Sequence, residues 1–189
     1  MTGNQESEIE LELTYLAAEI PSEVVGINPK TLLDIYIPAD RNVHSKLRLR
    51  KKDDCYEITK KVPLDASDAS IQQEFTIPIA DYEFEALATA SDKQIQKERY
   101  EVVIEGYSAE VDIFTGSLQG LVLIDFEFPN EAEKAAFTPP DCCLADVTQE
   151  EFIAGGELAG KTYQAIESSL KKFGYTSLIW RSFSDFLMI

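Results

Sequence analysis

The segment Ser7-Glu8-Ile9-Glu10-Leu11-Glu12-Leu13 alternates carboxylates with aliphatic side chains at a period of two. On a β-strand that period sends Glu8, Glu10 and Glu12 to one face and Ile9, Leu11 and Leu13 to the other. Like charges this close repel. The row therefore needs a positive counterpart, either a divalent cation, for which carboxylate oxygens are the natural ligands, or facing Lys and Arg.

The chain supplies such Lys and Arg further on, again at period two. Lys46–Arg50 places Arg48 and Arg50 opposite Leu47 and Leu49. Tyr56–Val62 gathers Glu57, Thr59 and Lys61 on one face, and Gln72–Ile79 gathers Gln72, Glu74 and Thr76. Gln94–Glu105 aligns Lys97, Arg99 and Glu101; Tyr107–Phe114 aligns Glu110 and Asp112. Gly120–Phe128 is the most apolar strand, yet Asp125 and Glu127 interrupt it opposite Ile124, Phe126 and Phe128. Carboxylates in so apolar a setting require a partner. His44, the one histidine, stands in a polar loop and reads as incidental.

The elements that must carry these residues are mostly strands. The first runs over Ser7–Leu16, another over Thr31–Ile37, and a short one over Cys142–Asp146. Pro63–Ser70 reads as loop. Helical spacing predicts helices over Asp81–Ser91, Asn130–Phe137 (capped by Asn130 and ended by Pro139-Pro140) and Lys161–Phe173. Thr148 with Glu151 forms a capping-box pattern. One face turned to water would explain a single alternating strand, but here the polar faces are regular and mixed in sign. An α+β fold accounts for all of them: an antiparallel, closed or nearly closed β-barrel with a charged lumen and helices packed outside. In such a lumen Arg grips phosphate in forked pairs and Lys as a point charge. Acidic residues outnumber basic ones there, so a polyphosphate would require divalent metal, or carboxylates kept protonated by raised pKa values.

Composition sets the outer limits. A chain of 189 residues accommodates one domain, 1–189, with 161–189 as a C-terminal helical extension. A net charge of −17 argues against nucleic acid as partner. No apolar run is long enough for a membrane helix, and Met1–Ser7 lacks the character of a signal peptide. Cys55, Cys142 and Cys143 read as free thiols of a cytoplasmic protein. The tail Tyr175–Ile189 is apolar enough to need cover from the domain or from a second copy in a homodimer.

Taken in order, these motifs resemble the CYTH, or triphosphate tunnel metalloenzyme, superfamily, from about Glu8 to Ala159. Glu8 and Glu10 match its opening Glu-x-Glu-x-Lys, with Glu12 standing where the Lys belongs. Arg48 and Arg50 match its Arg-x-Arg, Thr59 and Lys61 its Thr-x-Lys, and Lys97, Arg99 and Tyr100 its Lys-x-Arg-Tyr. Asp112 matches the acidic residue of the next strand. Gly120-Leu121 followed by Asp125-Phe126-Glu127-Phe128 matches its Gly-Leu and acidic-x-Glu-Phe. Val147-Thr148 with Leu158-Ala159 matches the late signature, in which Gly155 replaces Asn. Gln72 and Thr76 stand where many members carry Arg and Glu.

The resemblance implies an eight-stranded antiparallel tunnel and a triphosphatase. Glu8, Glu10, Asp112, Asp125 and Glu127 would serve Mg2+ or Mn2+, and Arg48, Arg50, Lys61, Lys97 and Arg99 the phosphates. Glu12, Glu74 and Glu101 are additional candidates. Substrates would be inorganic tripolyphosphate or a small organic one such as a nucleoside or thiamine triphosphate. The alternatives are a non-catalytic phosphate- or nucleotide-binding tunnel, marked by Glu12, and an adenylyl cyclase acting on ATP.

Overall fold

The computed structural model describes residues 7–179. Nine strands form one antiparallel sheet: β1 Ser7–Ala17, β2 Lys30–Ile37, β3 Leu47–Lys52, β4 Cys55–Asp65, β5 Asp68–Ile79, β6 Gln94–Ile104, β7 Tyr107–Phe114, β8 Val122–Glu127 and β9 Cys143–Asp146. Their order is β5-β4-β3-β2-β6-β7-β8-β1, and β1 pairs back onto β5 to close an eight-stranded barrel. Strand β1 makes the closure by dividing its length. Ser7–Leu11 pair with β5, Glu12–Leu16 pair with β8, and Tyr15–Ala17 also take up β9 beyond the end of β5.

Period-two patterning decides which face each residue takes. The lumen receives Glu10, Glu12 and Thr14 from β1, Arg48 and Arg50 from β3, Lys97 and Arg99 from β6, and Asp125 and Glu127 from β8. Towards one end of the barrel the inward positions turn apolar: Leu16, Tyr36, Ile95, Phe114 and Leu123. There they pack against Val147, Ile153 and Leu158 and against Ile166 and Leu170 of helix α4 (Tyr163–Leu170). The segment after β9, including the short helix α3 (Gly155–Leu158), thus plugs one end of the barrel with apolar side chains.

Outside, helix α1 (Asp81–Ala88) lays Phe84 over Leu49, Ile35 and Tyr56. Helix α2 (Glu131–Ala136) is capped by Asn130, whose side chain accepts from the Glu133 N–H. It delivers Phe137 into an aromatic group with Tyr15, Tyr107, Phe126 and Phe128. The expected helical cover is incomplete. Ile9, Leu64 and Ile77, on β1, β4 and β5, remain 62%, 54% and 47% exposed.

Two local expectations are corrected. Pro63–Ser70 is not a loop: β4 and β5 continue through it and turn at Ala66-Ser67, where Asp65 accepts from the Ser67 N–H at 2.8 Å and its hydroxyl at 2.7 Å. The ladder register shifts between Pro63 and Asp65, a bulge that accommodates a residue without an N–H. Thr148 does not cap a turn. Its hydroxyl accepts from the Thr14 N–H at 3.0 Å and donates to Asp146 at 2.6 Å, tying the plug to β1.

The start of the tail packs on the domain: Tyr175 is buried, and its hydroxyl accepts from the Val122 N–H and donates to the Gly120 carbonyl, both at 2.8 Å. Trp180, Phe183, Phe186 and Leu187 lie outside the described residues. Among the described residues no helix is long and apolar enough to cross a membrane.

Candidate active site in the barrel lumen

The charged part of the lumen is a cavity of about 460 Å3, within the range of ordinary ligand sites. Its charges divide around the ring. Strands β4, β3 and β6 contribute Lys61, Arg48, Arg50, Lys97 and Arg99; β7, β8, β1 and β5 contribute Glu110, Asp112, Asp125, Glu127, Glu10, Glu12 and Glu74. A predominantly basic arc, with Asp34 of β2 and Glu57 of β4 set into it, faces an acidic arc.

Two of the arginines are locked by buried aspartates. Asp34 (2% exposed) accepts from Arg50 Nε at 2.7 Å and Nη2 at 2.8 Å, with Arg48 Nη1 4.0 Å away. Burial alone would raise its pKa, but the Arg50 and Arg48 guanidiniums hold the carboxyl well below the usual range. Asp112 (1% exposed) accepts from Arg99 Nε and Nη2, both at 2.7 Å, and from Lys97. Burial there is likewise outweighed by Arg99 and Lys97. Both Asp112 oxygens are engaged, so its geometry is that of an anchor for two cations. The same Arg99 reaches Glu110 through Nη1.

Arg48 donates from Nε to Thr59 Oγ1 at 2.5 Å and from Nη2 to Glu74 at 3.4 Å. Lys61 gathers the opposite wall. It pairs with Glu10, with Glu12 at 3.3 Å and with Glu74 at 3.8 Å. Glu10 Oε2 faces that ammonium without a well-directed hydrogen bond.

The acidic arc is under electrostatic stress. Burial, with the neighbouring Glu12 and Asp112 charges, pushes Asp125 up to about 8. Burial raises Glu10 despite Lys61, and burial with the Glu110 and Glu12 charges raises Glu127. Glu12 moves the other way: burial is overcome by Lys61 and Arg99. The Thr14 hydroxyl donates to Asp125 Oδ1 at 2.7 Å. Clustered carboxylates that resist being ionised side by side are the donor set a hard divalent cation suits.

Most of the residues singled out in the sequence meet in this cavity: Glu10, Glu12, Arg48, Arg50, Lys61, Glu74, Lys97, Arg99, Asp112, Asp125 and Glu127. Glu8 and Glu101 do not. Glu8 is exposed beyond the lumen lining, and Glu101, also outside that lining, pairs with Lys30 and with Lys52 at 3.6 Å. The inward triplet of β1 is therefore Glu10, Glu12 and Thr14. Asp34 was missed as a functional residue, although its alternation with Leu33 and Ile35 already marked it as facing away from the aliphatic side. His44 was set aside but is half-buried, lines the cavity and pairs with Glu151 at 3.3 Å. At Gly155, which replaces the Asn of the resembled signature, a Cβ would meet the Tyr36 hydroxyl.

No protein-family model matches the chain. An inorganic triphosphatase of Nitrosomonas europaea is 30% identical over 152 residues, 79% of this chain and 96% of that protein. An inorganic triphosphatase of Acetivibrio thermocellus is 33% identical over 95 residues, 50% of this chain and 59% of that protein. The crystal structure of an inorganic triphosphatase matches with a TM-score of 0.59 at 28% identity, covering 79% of this chain and 93% of that one. A protein of Bacillus halodurans described as a candidate adenylate cyclase shares the fold, with a TM-score of 0.53 at 16% identity over 97% and 99% of the two chains. With its closed barrel, its two charged arcs and these relatives, the chain belongs to the CYTH, or triphosphate tunnel metalloenzyme, superfamily.

Proposed function

We propose that this chain is a metal-dependent hydrolase of inorganic triphosphate. The observation that carries the reading is the division of the lumen into a basic arc and an acidic arc. A polyphosphate alone would be repelled by the acidic half; with divalent metal it matches both halves. Support comes from the relatives, which are inorganic triphosphatases.

Arg48, Lys61, Lys97, Arg50 and Arg99 take the phosphate oxygens. Because Asp34 and Asp112 already hold Arg50 and Arg99 in fixed orientation, these donors need little rearrangement as charge develops on the phosphoryl group. Water attacks a phosphorus, the P–O–P bond breaks, and the products are orthophosphate and pyrophosphate. Glu10, Glu12, Asp125 and Glu127 would hold Mg2+ or Mn2+, which when bound polarises phosphoryl oxygens or activates water. Glu8 is assigned no such role, since it lies outside the lumen lining. In this register Thr14, not Glu12, stands at the position of the family's lysine. The three free thiols suit a reducing compartment such as the cytoplasm.

The test is phosphate release from tripolyphosphate with Mg2+, Mn2+ or EDTA, with ATP and thiamine triphosphate run in parallel. Metal-dependent release that is abolished in Glu10→Ala supports the reading. A folded protein that releases phosphate from none of them overturns it in favour of a binding tunnel.

A further inference from the structure

We propose that His44, Glu151 and Glu157 form a second metal site, separate from the acidic arc, that takes a borderline transition-metal ion such as Zn2+. These residues come from three places: the loop before β3, the 3-10 turn Glu151–Ile153 and helix α3. One ligand atom from each lies within 4.8 Å of the other two, the set among the described residues that meets this condition.

The loop carrying His44 is held from below. Lys93 is buried and its ammonium donates to the Asp40 and Val43 carbonyls, at 3.3 and 3.0 Å, and to Ser45 Oγ at 2.9 Å. Across from it, a side chain at Gly156 would run into the Ser45 carbonyl, so the loop and α3 are in backbone contact. The imidazole is thus delivered to the carboxylates by packed backbone on both sides. Glu151 is 75% exposed, leaving room for water to complete the coordination. Lys161, 3.4 Å from Glu157, swings to solvent when the ion binds.

Donor chemistry separates this site from the lumen. The acidic arc offers oxygen alone and suits Mg2+ or Mn2+; one imidazole with two carboxylates favours Zn2+, Co2+ or Ni2+ over Mg2+. An ion here ties the loop before β3, which also carries Lys46 to the cavity wall, to the segment that plugs the barrel. It thereby fixes one side of the cavity without contacting the phosphate-binding arginines.

The chain has one histidine, so the imidazole NMR signals report this site without ambiguity. Zn2+ added to EDTA-stripped protein, in the presence of saturating Mg2+, is expected to shift or broaden them at one equivalent. Glu151→Gln with Glu157→Gln is expected to weaken the effect at least tenfold, while Glu127→Gln in the lumen leaves it unchanged. Unmoved imidazole signals, or a Zn2+ response that survives in the double variant or is lost in Glu127→Gln, overturn the site. The free-protein spectrum of each variant shows whether it is folded.

Discussion

Arg99 and Asp112 sit directly opposite each other in the β6–β7 ladder, and Arg99 donates two hydrogen bonds of 2.7 Å to Asp112 inside the barrel. The pair is not a free-standing stabiliser. It fixes a guanidinium proposed to bind phosphate, at the expense of desolvating both ions. Replacing Asp112 by Ala leaves Arg99 and Lys97 buried without their main counter-charge, so unfolding free energy should fall by about 3–5 kcal/mol. Urea denaturation measures this; an unchanged midpoint would mean that the cations find water or Glu110 instead.

Lys61 pairs its one ammonium with Glu10, Glu12 and Glu74. Lys61→Met should lower phosphate release by about 100-fold, the scale of losing one preorganised donor. It should also destabilise the protein more at pH 8 than at pH 5, because Glu10, whose carboxyl burial already pushes up, can take up a proton at the lower pH. Equal loss at both pH values would count against this.

The raised acids give stability a definite pH sign. Asp125 titrates near 3.8 when unfolded and is pushed up to about 8 when folded. Between those values the folded state binds the extra proton, so this group's contribution declines as pH rises and is gone above about 8. Glu10 and Glu127 act in the same direction. Asp34 and Asp112, held low, give up their contribution only as pH falls through the acid range. With EDTA present, the urea midpoint should therefore drop from pH 5 to pH 8.5. Asp125→Asn should flatten the slope, and divalent metal should restore the midpoint at the higher pH.

Thr14 and Glu12 make opposite predictions for the same added charge. Thr14→Lys puts an ammonium beside Asp125 and should strengthen triphosphate binding by ~1.5–3 kcal/mol if it meets a phosphate. Glu12→Lys removes a proposed metal ligand and crowds Lys61, so turnover should fall. KM and kcat for both variants on tripolyphosphate decide the matter. A gain from Glu12→Lys would restore the register in which Glu8 and Glu10 lead the motif.

Tyr175→Phe should cost roughly 1–3 kcal/mol, since a buried Val122 N–H loses its acceptor. Thermal unfolding against wild type measures it.

Strand alternation was legible because every barrel strand obeys it over several residues. Arg48, Arg50, Lys97 and Arg99 fall inside for the same reason that Leu49 and Ile113 fall outside. What the pattern does not reveal is where along a strand the lumen begins. Glu8 and Glu10 are equivalent at period two, and only the pairing of β1 with β5 and then β8 leaves the first outside. Asp34 escaped notice because its role lies in its partner: a forked bond to Arg50 joins residues 16 apart in sequence. His44 was passed over because Glu151 and Glu157 meet it only through the plug. The Pro63 bulge was hidden because proline ordinarily ends strands, and a register shift that absorbs it leaves no mark in composition.

Strand β1 leaves the ribosome before any of the strands it pairs with, β5, β8 and β9. Thr14 bonds to Asp125, 111 residues on, and to Thr148, 134 residues on. Until those arrive, the nascent chain carries an unpaired edge beside a row of aliphatics, the arrangement most open to wrong pairing. The alternating glutamates of that strand then do a second job during biosynthesis: a run of like charge discourages a neighbouring copy from adding on. The carboxylates proposed to hold a cation in the finished barrel would thus guard the open chain against wrong pairing.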